Sequence, residues 1–185
     1  MHKRELRRSS NTGRLALGCL VNSLLIERPE GESEVKAELW PAGTQPLLLF
    51  PADDALPLDA WQGQAQTPAT LIVPDGTWAQ ASRMRQRVSG LSNIPCVRLP
   101  EGEPSRYRLR AVDRSSRVST LEAIARALGI LESAMVRETL ERVLAMMVER
   151  TLWMRGQLDR TQVTGGIPEG VGRHFPPWSS TELRD

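Results

Sequence analysis

Leu71-Ile72-Val73 is a short all-apolar run that halts at Pro74 and delivers an acid, a glycine, a hydroxyl and an indole onto a turn, Asp75-Gly76-Thr77-Trp78. A helical pattern opens directly afterwards at Ala79-Gln80-Ala81. That order predicts a buried strand, a site loop and a helix start. Loops at the carboxyl ends of parallel strands converge on a crevice, where side chains and helix N–H groups meet ligands in open α/β sheets. Taken alone, the same order also fits a plain strand–turn–helix whose aspartate only caps the helix.

The rest of the chain supplies elements that fit such a sheet. Asn11 or Thr12 is placed to cap a helix running to about Asn22, and Leu24-Leu25-Ile26 reads as a short strand or a helix end. Residues 28–33 read as a surface loop, and Val35 to Trp40 alternates as a strand does. A buried strand is expected within Pro46–Pro51, then a connector from Asp53 to Gln66 with one helical turn at Leu58-Asp59-Ala60-Trp61. A helix over about 78–88 and a strand over Ile94–Leu99 follow. Ser119-Thr120-Leu121-Glu122 has the form of a capping box, with Leu121, Ile124, Ala125 and Leu128 at helical spacing behind it. After Gly129 a second helix is expected over about 133–155, with Met135, Val136, Leu140, Val143, Leu144, Met147 and Val148 as its apolar stripe, read as core or as a dimer face. From Asp159 the chain turns to Thr, Gly, Pro and Arg, which predicts an extended, partly ordered tail over 159–185 behind a domain of 1–158. Strands separated by helices or loops indicate an α/β fold with a mostly parallel sheet.

At 185 residues the chain is long enough for one domain with a sizeable core. No apolar run reaches the roughly 18 residues of a membrane helix and no signal peptide opens the chain, so a cytoplasmic protein with no membrane partner is expected. Cys19 and Cys96 lie far apart in apolar contexts and read as free thiols, with no metal site. There is no phosphate-binding P-loop and no GxGxxG fingerprint, and the two histidines offer no Ser-His-Asp arrangement. The net charge of +2 says little about nucleic acid, but its distribution says more. Lys3, Arg4, Arg7, Arg8 and Arg14 crowd the start, and nine arginines crowd residues 83–117, whereas the segment between is acidic. Two readings stay open: a solvated face in an arginine-rich composition, or a phosphate footprint, since the guanidinium fork suits phosphate.

Asp75-Gly76-Thr77-Trp78 followed by Ala79-Gln80-Ala81 resembles the signature of the DTW-domain family, named for its Asp-Thr-Trp. His2-Lys3-Arg4-Glu5 with Ser10-Asn11-Thr12-Gly13-Arg14-Leu15 resembles the opening block of that family, and Leu47-Leu48-Leu49-Phe50-Pro51 its middle strand. Ser105-Arg106-Tyr107-Arg108-Leu109-Arg110 and Ser119-Thr120-Leu121-Glu122-Ala123 resemble its last blocks, in the right order. The resemblance implies a SPOUT-like α/β domain with a trefoil-knotted cofactor site, an exception to the rule against knots. The activity it implies is transfer of the 3-amino-3-carboxypropyl group of S-adenosylmethionine to N3 of a tRNA uridine, with release of methylthioadenosine. Family members often carry a cysteine cluster ahead of the first block, which this sequence does not show. Two accounts of that stay open: an N-terminal piece with the first strand of the usual domain is missing, leaving a sheet edge unpaired, or the form is naturally short.

What the resemblance implies for the site can be stated residue by residue. Asp75, the lone acid of the matched loop, is the candidate general base for N3–H, with attraction of the sulfonium as a second role and a cap on the amides of residues 77 and 78 as the structural alternative. The donor is expected against Leu49, Pro51, Asp75, Gly76, Thr77, Trp78, Leu99, Arg110, Ser119 and Thr120. Within that set Trp78 offers a stacking face, Gly76 a close backbone approach, Arg110 a cation for the donor's carboxylate, and Ser119 and Thr120 the N–H groups of a helix start. RNA is expected on Arg4, Arg7, Arg8, Arg83, Arg85, Arg87 and Arg108. A SPOUT-type methyltransferase and a noncatalytic RNA-binding module are the competing readings, and the oligomeric state is open.

Overall fold

Leu47, Leu48 and Leu49 cannot alternate between core and water, and they do not: all three are buried, because both faces of their strand are covered. In the computed structural model, which describes residues 11–26, 40–76, 78–88, 90–102, 104–109 and 118–172, they lie in β1 (Gln45–Leu49). Parallel to it run β2 (Leu56–Pro57), β3 (Ala69–Ile72) and β4 (Cys96–Arg98), in the spatial order β2-β4-β1-β3. The register pairs Leu47 with Leu71, Leu48 with Cys96, and Leu56 with Val97. Five helices accompany the sheet among the described residues: α1 (Thr12–Cys19), α2 (Leu58–Gln62), α3 (Trp78–Arg87), α4 (Thr120–Leu131) and α5 (Ala134–Met154).

The pleat of β1 sorts its side chains to two cores. Leu48 packs with Ala55, Val88, Leu91, Ile94 and Cys96 under the end of α3, whereas Leu47 and Leu49 pack with Leu58 of α2, Val97 of β4 and Ala127 of α4. Helix α4 is apolar on two sides. Ala127 meets the sheet, and Leu121 and Ala125 join Leu140, Leu144, Val148 and Leu152 of α5 with Ala16 of α1 in a third cluster. This two-sided burial ties the helical layer to the sheet and fixes where the amino end of α4 points.

The strand expected over 71–73 and the helix expected over about 78–88 are present as β3 and α3, as are the parallel strands and the helix caps. But β3 is a half-buried strand at the end of the sheet order rather than a fully buried one, and Thr77 of the loop lies outside the described residues. Asn11 caps α1 by accepting from the Arg14 amide at 2.9 Å, and Ser133 caps α5 by accepting from Val136. Several details differ from the sequence reading. Helix α1 stops at Cys19 because Leu20 is extended (φ −116°, ψ 118°), and Leu24-Leu25-Ile26 belongs to neither strand nor helix. The connector from Asp53 contains β2, where Pro57 is tolerated because the strand is an edge. Gly129 does not end a helix. It lies inside α4, where a Cβ would meet the Arg137 side chain of α5 at 2.9 Å, so the glycine serves close packing between the two helices. Met135 at the head of the α5 stripe is 75% exposed, and Leu152 and Trp153 extend that stripe instead.

Beyond α5 the chain forms a 3-10 turn at Arg160–Gln162 with its own capping box on Asp159. Val163 is buried, and the Thr164 amide donates to Glu149 on α5, so this part of the tail is packed rather than extended. The expected strand over Val35–Trp40 falls on residues outside the described set, except Trp40. The path from β4 to α4 passes through residues 103 and 110–117, also outside it, and the knot stays an expectation. Among the described residues no helix is long and apolar enough to cross a membrane.

Candidate functional site

Val73 and Pro74 carry the chain off the carboxyl end of β3, and Asp75 follows at once. Proline ends the ladder because it has no N–H to donate. Gly76 then takes φ 155°, a conformation L residues rarely adopt, and a Cβ there would meet the Gln80 side-chain oxygen at 2.9 Å. Glycine is therefore required on geometric grounds between the acid and α3.

Asp75 meets the amino end of α4. The Thr120 hydroxyl donates to Asp75 Oδ1 at 2.5 Å, while Asp75 Oδ2 is buried and has no hydrogen-bond partner among the described residues. A buried polar atom left unpaired costs about 1–3 kcal/mol, so such atoms are rare and mark places where a further group is expected. Among the described residues the carboxylate thus has one oxygen fixed by the fold and one without a donor.

The start of α4 is itself fixed by a second acid. Glu122, 3% exposed, closes the expected capping box: the Ser119 amide donates to Oε2 at 2.8 Å and the Glu122 amide donates to Ser119 Oγ at 3.4 Å. The same carboxylate reaches outside its helix. Ser105 Oγ donates to Oε2 at 2.7 Å and the Arg106 amide donates to Oε1 at 2.6 Å, while the Tyr107 amide donates to Ser105 Oγ and the Tyr107 ring is buried beside Leu121. Three of the sequence blocks, around Asp75, Ser105 and Ser119, therefore meet at one place. The cap was legible from spacing, but the link to Ser105 was not. Its one sequence signal is an acid set between the apolar Leu121 and Ala125 on a buried helix face.

A groove of about 1760 Å³ opens beside this junction, bordered by Val73, Pro74, Asp75, Thr120 and Ile124 and continued along β3, the last strand of the sheet among the described residues. Its walls are more apolar than polar, and Asp75 and Thr120 are among its polar residues, with Thr44, Gln62, Thr70, Glu132 and Thr139 further along the lining. That is the usual composition of a ligand site.

The remaining candidate residues are placed as follows. Pro51 and Leu99 follow the carboxyl ends of β1 and β4, on the same rim of the sheet as Asp75; Pro51 is exposed and Leu99 half-buried. The Leu49 side chain is spent in the core with Leu47 and Val97, so only its backbone is free to face a ligand. The Ser119 amide, expected to face a ligand, is engaged by Glu122 instead. Arg83 and Arg87 are exposed on α3, and Arg83 Nε donates to Ala79 O within its own helix. Arg85 is held by Asp54 through both carboxylate oxygens, and Arg108 is exposed. Arg4, Arg7, Arg8, Thr77, Arg110 and the Trp78 side chain lie outside the described residues.

Three neighbouring groups, Asp54, Arg85 and Cys96, are shifted from their ordinary range. The Arg85 hydrogen bonds hold the Asp54 carboxyl below the usual carboxylate value, and the same bonds raise Arg85. Burial pushes the Cys96 thiol up, opposed by the nearby Arg85, and its Sγ donates to Phe50 O at 3.0 Å. None of the three borders the groove. Cys19 and Cys96 are both free thiols, and the described residues hold no cluster of three or more His, Cys, Asp or Glu suited to a metal.

Comparison with known proteins bears on this arrangement. The model of the DTW domain matches residues 1–152. Among curated proteins the chain is similar to tRNA-uridine aminocarboxypropyltransferase 2 of Drosophila melanogaster, 38% identical over 101 residues that cover 54% of this chain and 40% of the relative. It is also similar to the proteins of that name from Macaca fascicularis, 33% identical over 62% of this chain and 39% of the relative, and Mus musculus, 35% identical over 53% and 34%. The chain thus spans about two fifths of the length of the curated relatives it matches. No solved structure matches it significantly.

Proposed function

We propose, from the premise that this chain belongs to the DTW domain family, that it moves the 3-amino-3-carboxypropyl group of S-adenosylmethionine onto N3 of a tRNA uridine. The observation that carries the reading is the buried oxygen of Asp75, without a hydrogen-bond partner among the described residues, in the lining of a groove roomy enough for a nucleoside-sized donor and a base. The donor's sulfonium supplies the electrophilic carbon and a leaving group that departs as neutral methylthioadenosine. The N3–C bond forms, the C–S bond breaks with its electrons on sulfur, and the N3 proton is left for the protein to take.

Asp75 Oδ2 is the acceptor for that proton, since N3 is mostly protonated at neutral pH and a weakly acidic nucleophile needs a positioned base. Val73, Pro74 and Ile124 line the groove beside Asp75 and Thr120 with apolar surface. Leu99, Pro51 and Gly76, with Thr77, Arg110 and the Trp78 side chain, which lie outside the described set, complete the donor's surroundings in this reading. The exposed arginines Arg83, Arg87 and Arg108, with Arg4, Arg7 and Arg8, hold tRNA phosphates. The family match over residues 1–152 supports taking 1–158 as the catalytic domain.

The test is direct. Unmodified tRNA incubated with the protein and S-adenosylmethionine is expected to gain the aminocarboxypropyl nucleoside by mass spectrometry, with methylthioadenosine released in equal amount. Adenosylhomocysteine as the product would make it a methyltransferase. No product, together with no heat of donor binding, would leave a noncatalytic module.

A further inference from the structure

The geometry points to Thr120 as the positioning residue for Asp75, and not as a ligand of the donor; this rests on the reading of Asp75 as base. A threonine hydroxyl has one hydrogen to give, and here it is given to Asp75 Oδ1 at 2.5 Å. A carboxylate alone at the end of a strand turns freely about its last torsion, which is broad and two-fold. With Oδ1 held, the rotation stops and Oδ2 is left as the oxygen without a hydrogen-bond partner among the described residues, the one that takes the substrate proton in this reading.

The holder is itself held. Thr120 is the first residue of α4, directly after the cap Ser119, and that turn is locked by Glu122, whose carboxylate takes the Ser119 amide and also the Ser105 hydroxyl and Arg106 amide. A β-branched side chain adds a stiff first torsion. The chain of fixation therefore runs from the buried Glu122 through the helix start to Thr120, and from Thr120 across 45 residues of sequence to Asp75. Serine offers the same hydroxyl, valine the same shape without it.

The experiment compares wild type with Thr120→Val, Thr120→Ala, Thr120→Ser and Asp75→Asn in tRNA transfer, with KM for donor and tRNA measured separately from kcat. Thr120→Val and Thr120→Ala are expected to lower kcat by about 10–100-fold, the scale of a misplaced reacting group, with both KM values little changed. Thr120→Ser is expected to restore most of the rate. In an Asp75→Asn background Thr120→Val should cost nothing further, because residues that act as one unit are not additive. A merely structural threonine would instead give additive losses in the double variant.

Wild-type kcat in Thr120→Val and Thr120→Ala overturns the inference while an impaired Asp75→Asn leaves the base reading standing. A raised KM for S-adenosylmethionine at unchanged kcat also overturns it, since Thr120 would then be a donor ligand. Wild-type transfer by Asp75→Asn removes the base reading itself, and the inference with it.

Discussion

Two carboxylates lie close to the start of α4, and they are treated in opposite ways. Glu122 is 3% exposed and accepts three hydrogen bonds, from the Ser119 amide, the Ser105 hydroxyl and the Arg106 amide. Among the described residues Asp75 accepts one, from Thr120, and keeps a buried oxygen with no partner. A buried acid with donors on both its oxygens stabilises a fold, because those hydrogen bonds offset its desolvation. An unsaturated one is a standing cost that only a further group can offset. The difference separates scaffold from site within a single junction, and residue type does not make that separation, for both are acids next to a hydroxyl.

The largest effect that can break this comparison is on rate. Asp75→Asn nearly keeps the shape and the Thr120 bond but removes the charge and the usable base. Transfer at neutral pH is expected to fall by about 10²–10⁴-fold, with donor binding retained and thermal melting little moved. Raising the pH should recover part of the loss as solvent deprotonates uridine. Unfolding of the variant, or an unchanged rate, would put Asp75 on the scaffold side.

Glu122 is expected to behave in the reverse sense. Glu122→Ala strips three donors of their acceptor and should lower stability by about 2–4 kcal/mol in denaturant unfolding, with Glu122→Gln intermediate because it keeps one acceptor oxygen. If Glu122→Ala melts like wild type, saturation is not what distinguishes the two acids.

The same contrast between engaged and free groups divides the arginines of α3. Arg85 is committed to Asp54, whereas Arg87 is exposed. Removing Arg87 should flatten the dependence of log affinity for tRNA on log salt by about 0.7–0.9, the increment for one phosphate contact. Removing Arg85 alone should flatten it less. Equal slopes for both variants would show that the Asp54 pair opens on binding.

Which of these features was readable beforehand follows from range in sequence. The Ser119–Glu122 box, the Asn11 cap and the Leu71–Asp75 strand end are local patterns, each set within four or five residues, and each is present. Strand β2 was hidden because two residues, one of them proline, carry no periodicity. Gly129 misled because a helical glycine serving close packing has the same letter as one ending a helix. The family resemblance named Asp75 and Thr120 as site residues, but that they bond one another was invisible at a separation of 45 residues, as was the Arg85–Asp54 pair at 31. Pairings of that kind are set by the sheet order β2-β4-β1-β3, which no single segment encodes.

Asp54 completes the comparison as a third acid, engaged like Glu122 but exposed, and it carries the smallest expected effect. Its carboxyl is held below the usual 3.8, first by the Arg85 hydrogen bonds. A lowered folded-state value means that the folded protein binds the proton less readily than the unfolded chain, so the contribution is fully present above about pH 3.8 and disappears as pH falls through the folded value. Solvent and salt screen an exposed pair, and the side chains lose entropy in forming it. Asp54→Asn should therefore lower the melting temperature only slightly at pH 7, by less still in high salt, and not at all once the pH is below the folded value. A large loss at pH 7 that persists in salt would show that engagement by hydrogen bonds stabilises whether or not the acid is buried, and the line drawn between Glu122 and Asp75 would then rest on partner count alone.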